Sequence, residues 1–219
     1  MRSVPLVLGV FASGRGSNLQ AILDAIEAGR CPARVAVVVS DRKDAPALER
    51  GRRAGAKAVH LDPRAHPDRV AFDEALADVL VRHSVELVCL AGYMRVLSVG
   101  FVRRFPGRIL NVHPALLPAF PGLHAQRQAL EHAVKVAGAT VHFVDDGVDT
   151  GPIVLQSAVP VLDDDTEETL AARILVEEHR LYPEAIRLYA EGRLRIEGRR
   201  VSGRGEGPGR PGDPGREAT

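Results

Sequence analysis

LVLGVFASGRGSN, residues 6–18, joins an apolar run directly to a turn that contains two glycines. The run over residues 6–11 has no charged residue, which is typical of a buried strand in a parallel sheet. An amphipathic stretch follows from about residue 18 to residue 28 and stops at Gly29, where a left-handed residue commonly ends a helix. This order predicts a strand, a tight turn and a helix, the first part of a βαβ unit.

The same alternation continues along the chain. Short apolar runs and amphipathic stretches predict further strands at 35–39, 58–61, 87–91 and 108–112, with helices at 46–54 and 69–82. Strands that alternate with helices in this way indicate a parallel sheet covered by helices. We therefore expect an α/β fold, a single Rossmann-like domain whose mostly parallel sheet is flanked by helices.

The pattern changes after Pro114. Residues 114–124, PALLPAFPGLH, predict a shaped loop, and apolar runs at 139–144 and 153–161 predict two more strands. The link between those strands, DDGVDTGP, is too short for a crossover helix, so the C-terminal portion of the sheet is expected to be antiparallel.

A long helix is predicted near the C-terminus. Asp165 and Glu168 form a capping-box pattern at its start, and Pro183 is predicted to kink or break it near Tyr182. The domain is expected to span residues 1–201. Residues 202–219 are rich in glycine, proline and arginine, and they predict a disordered tail.

Composition narrows the possible functions. The 219 residues carry a net charge of +1 and only 4% aromatic residues, which argues against nucleic acid and membrane surfaces as partners. The N-terminal apolar run is too short to span a bilayer and runs into the glycine turn, so we expect a cytoplasmic protein. Cys31 and Cys89 form no CxxC pair, which predicts free, buried thiols in a reducing compartment.

The glycine turn predicts an anion site. Glycines at 14 and 16 let backbone N–H groups approach a ligand at the start of a helix, and Ser17 and Asn18 add a hydroxyl and an amide suited to one terminal phosphate. A dinucleotide site is an open alternative, since Asp41 follows the second strand, but Leu19 stands where that fingerprint has Gly or Ala. An ordinary capped turn is the third interpretation.

Asn111 and His113 end the fifth predicted strand. Because they are two residues apart, their side chains point to the same face, and Pro114 then ends the strand. That carboxyl edge is where open α/β sheets bind ligands. A histidine that merely forms a hydrogen bond at a strand end remains the alternative.

Asp149 lies in the acidic link at 145–152, which fits either a solvated loop or a cation site, although the downstream Glu of a calcium loop is lacking. If this loop folds over His113, its carboxylate favours the protonated imidazole. A carboxylate, an imidazole and an amide together suit acyl transfer through a tetrahedral oxyanion. Since no nucleophile elbow is present, the attacking group is expected to belong to the substrate.

Five stretches of this sequence resemble the phosphoribosylglycinamide formyltransferases. They are SGRGSNLQ at 13–20, AGYMRVL at 91–97, NVHPALLPAFPGLHAQRQAL at 111–130, HFVDDGVDTGPIVLQ at 142–156 and EEHRLYP at 177–183. The resemblance implies a formyltransferase domain over residues 1–201. It also implies that the amine of 5-phosphoribosylglycinamide attacks the formyl carbon of 10-formyltetrahydrofolate, which gives the N-formyl product and tetrahydrofolate in de novo purine synthesis.

The resemblance also implies roles for individual residues. His113 is the general acid, Asn111 contacts the formyl oxygen, and Asp149 raises the pKa of His113. The ribonucleotide is held by Gly16, Ser17, Asn18 and Leu19 at its phosphate and by Glu178 at its glycinamide end. The folate is bound by Arg69, Met94, Arg95, Val96, Leu97, Asn111, Asp145 and Asp149. Plainer interpretations remain open, in which Glu178 and Arg69 are surface helix charges and Met94 fills the core.

Two positions depart from the family pattern. Arg15 places a cation within the glycine turn, and Gln126 stands where some relatives have a second histidine. Formyltetrahydrofolate deformylases carry an extra N-terminal domain and lack the SGxGSN loop, and methionyl-tRNA formyltransferases carry a C-terminal β-barrel. The loop favours transfer to the ribonucleotide over deformylation, and the expectation of only a short tail after residue 201 disfavours the tRNA enzymes. Leu19 disfavours a dinucleotide-binding oxidoreductase or a non-catalytic binding module.

The expected partners are small-molecule substrates. We expect 10-formyltetrahydrofolate as co-substrate, with no metal and no ATP, because no Walker-type lysine motif is present. The chain is expected to act as a monomer or homodimer.

Overall fold

The computed structural model describes residues 4–203, and within that range seven strands form one mixed sheet. The strands are β1 (Leu6–Phe11), β2 (Ala33–Ser40), β3 (Lys57–His60), β4 (Leu87–Leu90), β5 (Ile109–His113), β6 (Val136–Phe143) and β7 (Ile153–Pro160). Their order across the sheet is β3-β2-β1-β4-β5-β6-β7. The pairs from β3 to β5 are parallel, and β6 and β7 are added antiparallel. The predicted α/β class and the antiparallel C-terminal portion are both confirmed.

Six α-helices accompany these strands in the described range. They are α1 (Ser17–Glu27), α2 (Pro46–Arg53), α3 (Arg69–Arg82), α4 (Val99–Arg104), α5 (Ala125–Glu131) and α6 (Glu167–Ala190). The sequence prediction missed α4 and α5, which have six and seven residues and are too short to show a clear helical period. It also missed a small exposed hairpin of β8 (Arg195–Glu197) and β9 (Arg200–Ser202).

Helix α6 differs from its prediction at its start, and it is not broken at Pro183. Its N-cap is Thr166, whose side chain forms a capping box with Thr169, while the Asp165 carboxylate pairs with Arg173. Pro183 does not end the helix, which continues for seven residues beyond it to Ala190. Proline removes one helical hydrogen bond, but Tyr182 and Ile186 on either side are completely buried, so tertiary packing retains the helix.

The hydrophobic core lies on both faces of the sheet, because alternate strand residues point to opposite sides. On one face, Leu8 and Val10 of β1 pack with buried residues of α1, α2 and α6. On the other face, Phe11 packs with Phe72 and its neighbours from α3 and α4. Full burial of each such side chain contributes about 1.5–3 kcal/mol to the stability of the folded state. The packed core thereby fixes the positions of the strand ends that carry polar groups.

The described residues end just inside the predicted tail. Strand β9 includes Ser202, and residues 204–219, most of the predicted tail, lie outside the described residues. Cys31 and Cys89 are buried and free, and burial raises the pKa of the Cys31 thiol to about 12. No helix within residues 4–203 is long and apolar enough to cross a membrane.

Candidate active site

Asn111 and His113 lie at the carboxyl edge of the sheet, where β5 ends. The strand periodicity turns both side chains to the same face, as expected from their spacing. Both line a pocket of about 490 Å³. Its other walls come from the segment after β4, the loop after β5 and the link between β6 and β7, which includes Asp149.

Asp149 reaches both residues from that link. Its Oδ2 atom lies 3.3 Å from Nδ1 of His113, and its Oδ1 atom lies 3.4 Å from Nδ2 of Asn111. The backbone N–H of Gly122 donates to Oδ2 at 2.8 Å. Asp149 has a φ of 54°, a left-handed conformation that is uncommon for a residue with a side chain. These contacts hold the carboxylate over the imidazole and the amide.

Both ring nitrogens of His113 face acceptors. Nε2 lies 2.8 Å from the carbonyl oxygen of Phe120, and since a carbonyl can only accept, Nε2 carries a hydrogen. Nδ1 faces the Asp149 carboxylate, so the surroundings offer a partner for a proton on each nitrogen.

The pKa of His113 nevertheless lies below its usual value of 6.5. Burial of the ring, which is only 4% exposed, is the largest cause, and it outweighs the raising effects of Asp149 and the Phe120 carbonyl. Asp149 raises the pKa of His113, as expected, but desolvation of the imidazolium lowers this pKa by more, so the net shift is downward. Burial also opposes ionisation of Asp149, but contact with the protonated ring of His142, the Gly122 N–H and the charge of His113 together hold its pKa below the usual value of 3.8.

His142 is a site residue that the sequence analysis did not single out. It lies opposite Asn111 in the antiparallel pairing of β5 and β6 and lines the same pocket. Its Nδ1 atom donates to the Phe143 carbonyl at 2.9 Å, which leaves Nε2 of the neutral ring to accept from Asn111 Nδ2 at 3.2 Å. When protonated, the same Nε2 faces Asp149 Oδ1 at 3.5 Å. No local pattern marks His142, because the register of β5 against β6 is what places it opposite Asn111.

The glycine turn leads into α1 with its amides directed outward. Gly16 is the N-cap residue, with a φ of 72°, and no side chain caps the helix. In the described part of the chain, the first helical amides, those of Ser17, Asn18 and Leu19, have no hydrogen-bond acceptor. The Leu19 side chain is fully buried in the core, so it can offer a ligand only its backbone. Free amides at the start of a helix can bind an anion.

Glu178 is not a surface charge. It lies on α6, is 7% exposed, and accepts a 2.6 Å hydrogen bond from Nδ2 of Asn18, while Oδ1 of Asn18 is buried without a partner. Burial raises the pKa of Glu178 even though the Asn18 bond lowers it. The pair thus presents a buried carboxyl group and an unused acceptor beside the helix start.

The glycine turn and the pocket are joined by Ser13. Its backbone N–H donates to the Gly92 carbonyl at 3.0 Å, and its hydroxyl accepts from the Met94 N–H at 3.0 Å. Gly92 and Met94 line the pocket, so the anion site and the pocket lie side by side.

The structure places most of the expected folate residues around the pocket. Those that line it are Met94, Arg95, Val96, Leu97, Asn111, Asp145 and Asp149. Met94 and Val96 are 57% and 58% exposed, so Met94 does not fill the core. Arg69 is not among the lining residues, and its guanidinium instead donates to the carbonyl of Leu97. Gln126 also lines the pocket, whereas Arg15 does not.

Within residues 4–203, no three His, Cys, Asp or Glu side chains are grouped so that they could hold a metal ion. The residues at the site are suited to hydrogen bonding and proton transfer.

The sequence and fold are similar to those of known proteins. A model of the formyl transferase family matches residues 7–186. The phosphoribosylglycinamide formyltransferase of Escherichia coli (strain K12) is 45% identical over 187 residues, which cover 85% of this chain and 88% of that protein. The glycinamide ribonucleotide transformylase 1 from Symbiobacterium toebii has a TM-score of 0.90 at 66% identity, covering 92% of this chain and 95% of that one.

Another relative is much longer. The trifunctional purine biosynthetic protein adenosine-3 of Drosophila pseudoobscura pseudoobscura is 48% identical over 190 residues, which cover 86% of this chain but only 14% of that protein.

Proposed function

Because this chain belongs to the formyl transferase family and, within it, to the phosphoribosylglycinamide formyltransferases, which are enzymes, we propose that it formylates 5-phosphoribosylglycinamide in purine synthesis. The formyl donor in this proposal is 10-formyltetrahydrofolate. The observation that carries it is the convergence of Asn111, His113 and Asp149 within one pocket, beside helical amides that suit an anion.

The reaction moves one acyl group between two nitrogens. The free amine of the ribonucleotide attacks the formyl carbon, and its electron pair forms the new C–N bond while the carbonyl oxygen takes up negative charge. Asn111 donates an N–H from Nδ2 to that oxygen, and His113 in its protonated form adds a positive charge. Stabilisation of a developing oxyanion by such groups is among the largest contributions to acyl transfer.

The tetrahedral intermediate then collapses. The bond from carbon to the folate nitrogen breaks, and the nitrogen receives a proton from His113. The attacking amine then loses a proton to the neutral imidazole, which restores the protonated form of His113. Asp149 lines the pocket and Phe120 does not, so the His113 proton that faces Asp149 through Nδ1 is the one nearer the substrates. The contact of Nδ1 with Asp149, at 3.3 Å, is longer than the contact of Nε2 with Phe120, at 2.8 Å. The Nδ1 proton can therefore be transferred to a substrate atom at a lower cost in hydrogen bonding.

The ribonucleotide phosphate binds at the start of α1 in this proposal. The unpaired amides of Ser17, Asn18 and Leu19, and the close backbone approach at Gly16, suit a terminal phosphate. Glu178 binds the glycinamide end, where its carboxyl group accepts from an N–H. Because Ser13 joins this site to the pocket, the amine is directed toward the bound formyl group.

The folate occupies the pocket. Exposed apolar side chains of Met94 and Val96, together with buried Leu97, suit the flat pterin ring. The Arg69 guanidinium donates to the Leu97 carbonyl at the edge of this pocket, and its positive charge remains available to the acidic tail of the folate.

The test is the acceptor dependence of donor consumption. The protein is mixed with 10-formyltetrahydrofolate, with and without 5-phosphoribosylglycinamide, and the absorbance of the released tetrahydrofolate is followed. We expect turnover only with the ribonucleotide, unaffected by EDTA and without added ATP. Equal turnover without the acceptor favours a deformylase, and no turnover with both substrates contradicts the proposal.

A further inference from the structure

One face of helix α3 holds the wall of the pocket that follows β4. This wall, residues 92–98, has no regular secondary structure, yet six of its residues line the pocket, namely Gly92, Tyr93, Met94, Arg95, Val96 and Leu97. An irregular segment of this kind depends on outside contacts for its shape, since it forms no ladder of its own.

Three side chains within a single turn of α3 supply those contacts. Arg69 donates to the carbonyl of Leu97, and the ring of Phe72 lies under the Arg95 guanidinium at 5.2 Å from its centre. Asp73 accepts the backbone N–H of Ser98 through Oδ2 at 2.6 Å. The wall is therefore attached to α3 at both its middle and its end.

The contact of Asp73 differs from the other two in its burial. Asp73 is 4% exposed, whereas Arg69 and Arg95 are exposed. A carboxylate that is removed from water and bonded to a backbone N–H forms a short, charge-assisted hydrogen bond. Its loss leaves the half-buried Ser98 N–H without its partner in the protein. Ser98 also caps α4 through its own hydroxyl, which accepts from Phe101, so the position of Ser98 sets both the end of the wall and the start of α4.

We propose that Asp73 is a positioning residue for the folate wall, acting through the Ser98 N–H to fix the placement of Met94, Val96 and Leu97 against the pterin. Asp73 does not line the pocket and touches no reacting atom. This inference rests on the proposed function, because it assigns the wall to the folate. A change at Asp73 should therefore weaken folate binding and leave ribonucleotide binding nearly unchanged, since the ribonucleotide site at α1 is built from other segments.

The experiment compares Asp73→Ala and Asp73→Asn with Asp78→Asn. Asp78 lies on the same helix and faces Arg104 of α4 at 3.8 Å, so its variant changes the same kind of group without touching the wall. We expect Asp73→Ala to raise the KM for 10-formyltetrahydrofolate about 10-fold or more, the scale of a lost charge-assisted hydrogen bond. The KM for the ribonucleotide and kcat at saturation stay within about twofold, and Asp78→Asn matches the wild type.

Asp73→Asn keeps a side-chain acceptor of the same size and is expected to rescue most of the loss, leaving an increase of about threefold. If Asp73→Ala does not fold, the Asp73→Asn variant tests the proposal. An increase of about threefold in the KM for 10-formyltetrahydrofolate alone supports the positioning role. Unchanged donor KM in a folded Asp73→Ala protein, or equal increases in both KM values, overturns the proposal.

Calorimetric binding of tetrahydrofolate separates this inference from the proposed function. If the wild type shows no ribonucleotide-dependent turnover but binds tetrahydrofolate more tightly than Asp73→Ala does, the proposed function fails and the positioning role stands. If wild-type turnover is as expected and tetrahydrofolate binds both proteins equally, only the positioning role fails.

Discussion

Oδ2 of Asp149 lies 3.3 Å from Nδ1 of His113, although the two residues belong to a loop and a strand that are 36 positions apart. The contact is kept by the Gly122 N–H on the same oxygen and by the left-handed backbone at Asp149. It places a carboxylate next to the imidazole at the edge of the pocket, and the main predictions about catalysis depend on it.

Replacement of His113 by alanine is expected to lower turnover by about 10²–10⁴-fold, the usual contribution of a general acid. The ribonucleotide should bind nearly as well as before, because its phosphate site lies on α1. Steady-state kinetics and calorimetric ribonucleotide binding measure the two effects. A near-normal kcat would remove His113 from the mechanism.

The ionisation of His113 is predicted to respond to Asp149. Burial holds the pKa of His113 below 6.5, and Asp149 raises it from a still lower value, so Asp149→Asn should lower it further. An NMR titration of the His113 ring should show a midpoint below 6.5 in the wild type and a lower one in the variant. A midpoint that rises in Asp149→Asn would contradict the assigned charge interaction.

The same shift has a consequence for stability. A histidine with a depressed pKa binds its proton less tightly in the folded state than in the unfolded state, so folding is favoured above about pH 6.5 and this contribution is lost as the pH falls below it. Urea unfolding at several pH values measures the free energy of unfolding of the wild type and of His113→Ala. The difference between the two proteins should change as the pH falls below about 6.5. A difference that is constant with pH would argue against a depressed pKa.

Gly16 is expected to tolerate no side chain. A Cβ atom there would lie 2.8 Å from Cβ and 2.9 Å from Cα of Ala47, in addition to the cost of a positive φ. Gly29 is the matched control, since its φ is 68° and no atom lies within 4 Å of its Cβ position. Gly29→Ala should cost about 1 kcal/mol of unfolding free energy, the strain of a left-handed residue alone.

Gly16→Ala should destabilise the protein by more than that and raise the KM for the ribonucleotide, because the turn must shift away from α2. Thermal denaturation and kinetics of both variants provide the comparison. Equal losses in stability, with no change in the ribonucleotide KM, would show that the close approach to Ala47 is unimportant.

Arg50 on α2 is predicted to hold the turn from outside. Its Nε donates to the Arg15 carbonyl at 2.9 Å and its Nη1 donates to Gln20 Oε1 at 2.8 Å, so it bridges the turn and the first helical turns of α1. Arg50→Gln removes both hydrogen bonds and is expected to raise the ribonucleotide KM by about tenfold or more, the scale of lost hydrogen bonds from a charged group, with kcat little changed.

Arg53→Gln serves as the control for Arg50, because Arg53 is 78% exposed and contacts only Glu49 of its own helix in the described structure. The two variants remove the same charge from α2. Equal effects on the ribonucleotide KM would mean that Arg50 acts through general charge and not by holding the turn.

Much of the architecture could be inferred from local pattern. The bounds of α3, 69–82, and of β1, 6–11, agree with their predictions. Burial of one helix face spaces apolar residues with the helical period, and burial of a whole strand gives a continuous apolar run. The sequence also predicted that Asn111 and His113 present their side chains on the same face, since residues two apart in a strand point to the same side. Helix α6 shows the limit of such rules, because burial around Pro183 outweighed the local preference of proline.

The contacts that complete the site were set by long-range packing. His142 meets Asn111 through the register of two antiparallel strands, and Asp73 meets Ser98 across 25 residues. The direction of the His113 pKa shift likewise depended on how far the folded chain excludes water from the ring. Periodicity along a chain records which face of an element is buried, whereas distances between elements and the cost of desolvating a charge arise only when those elements are packed together.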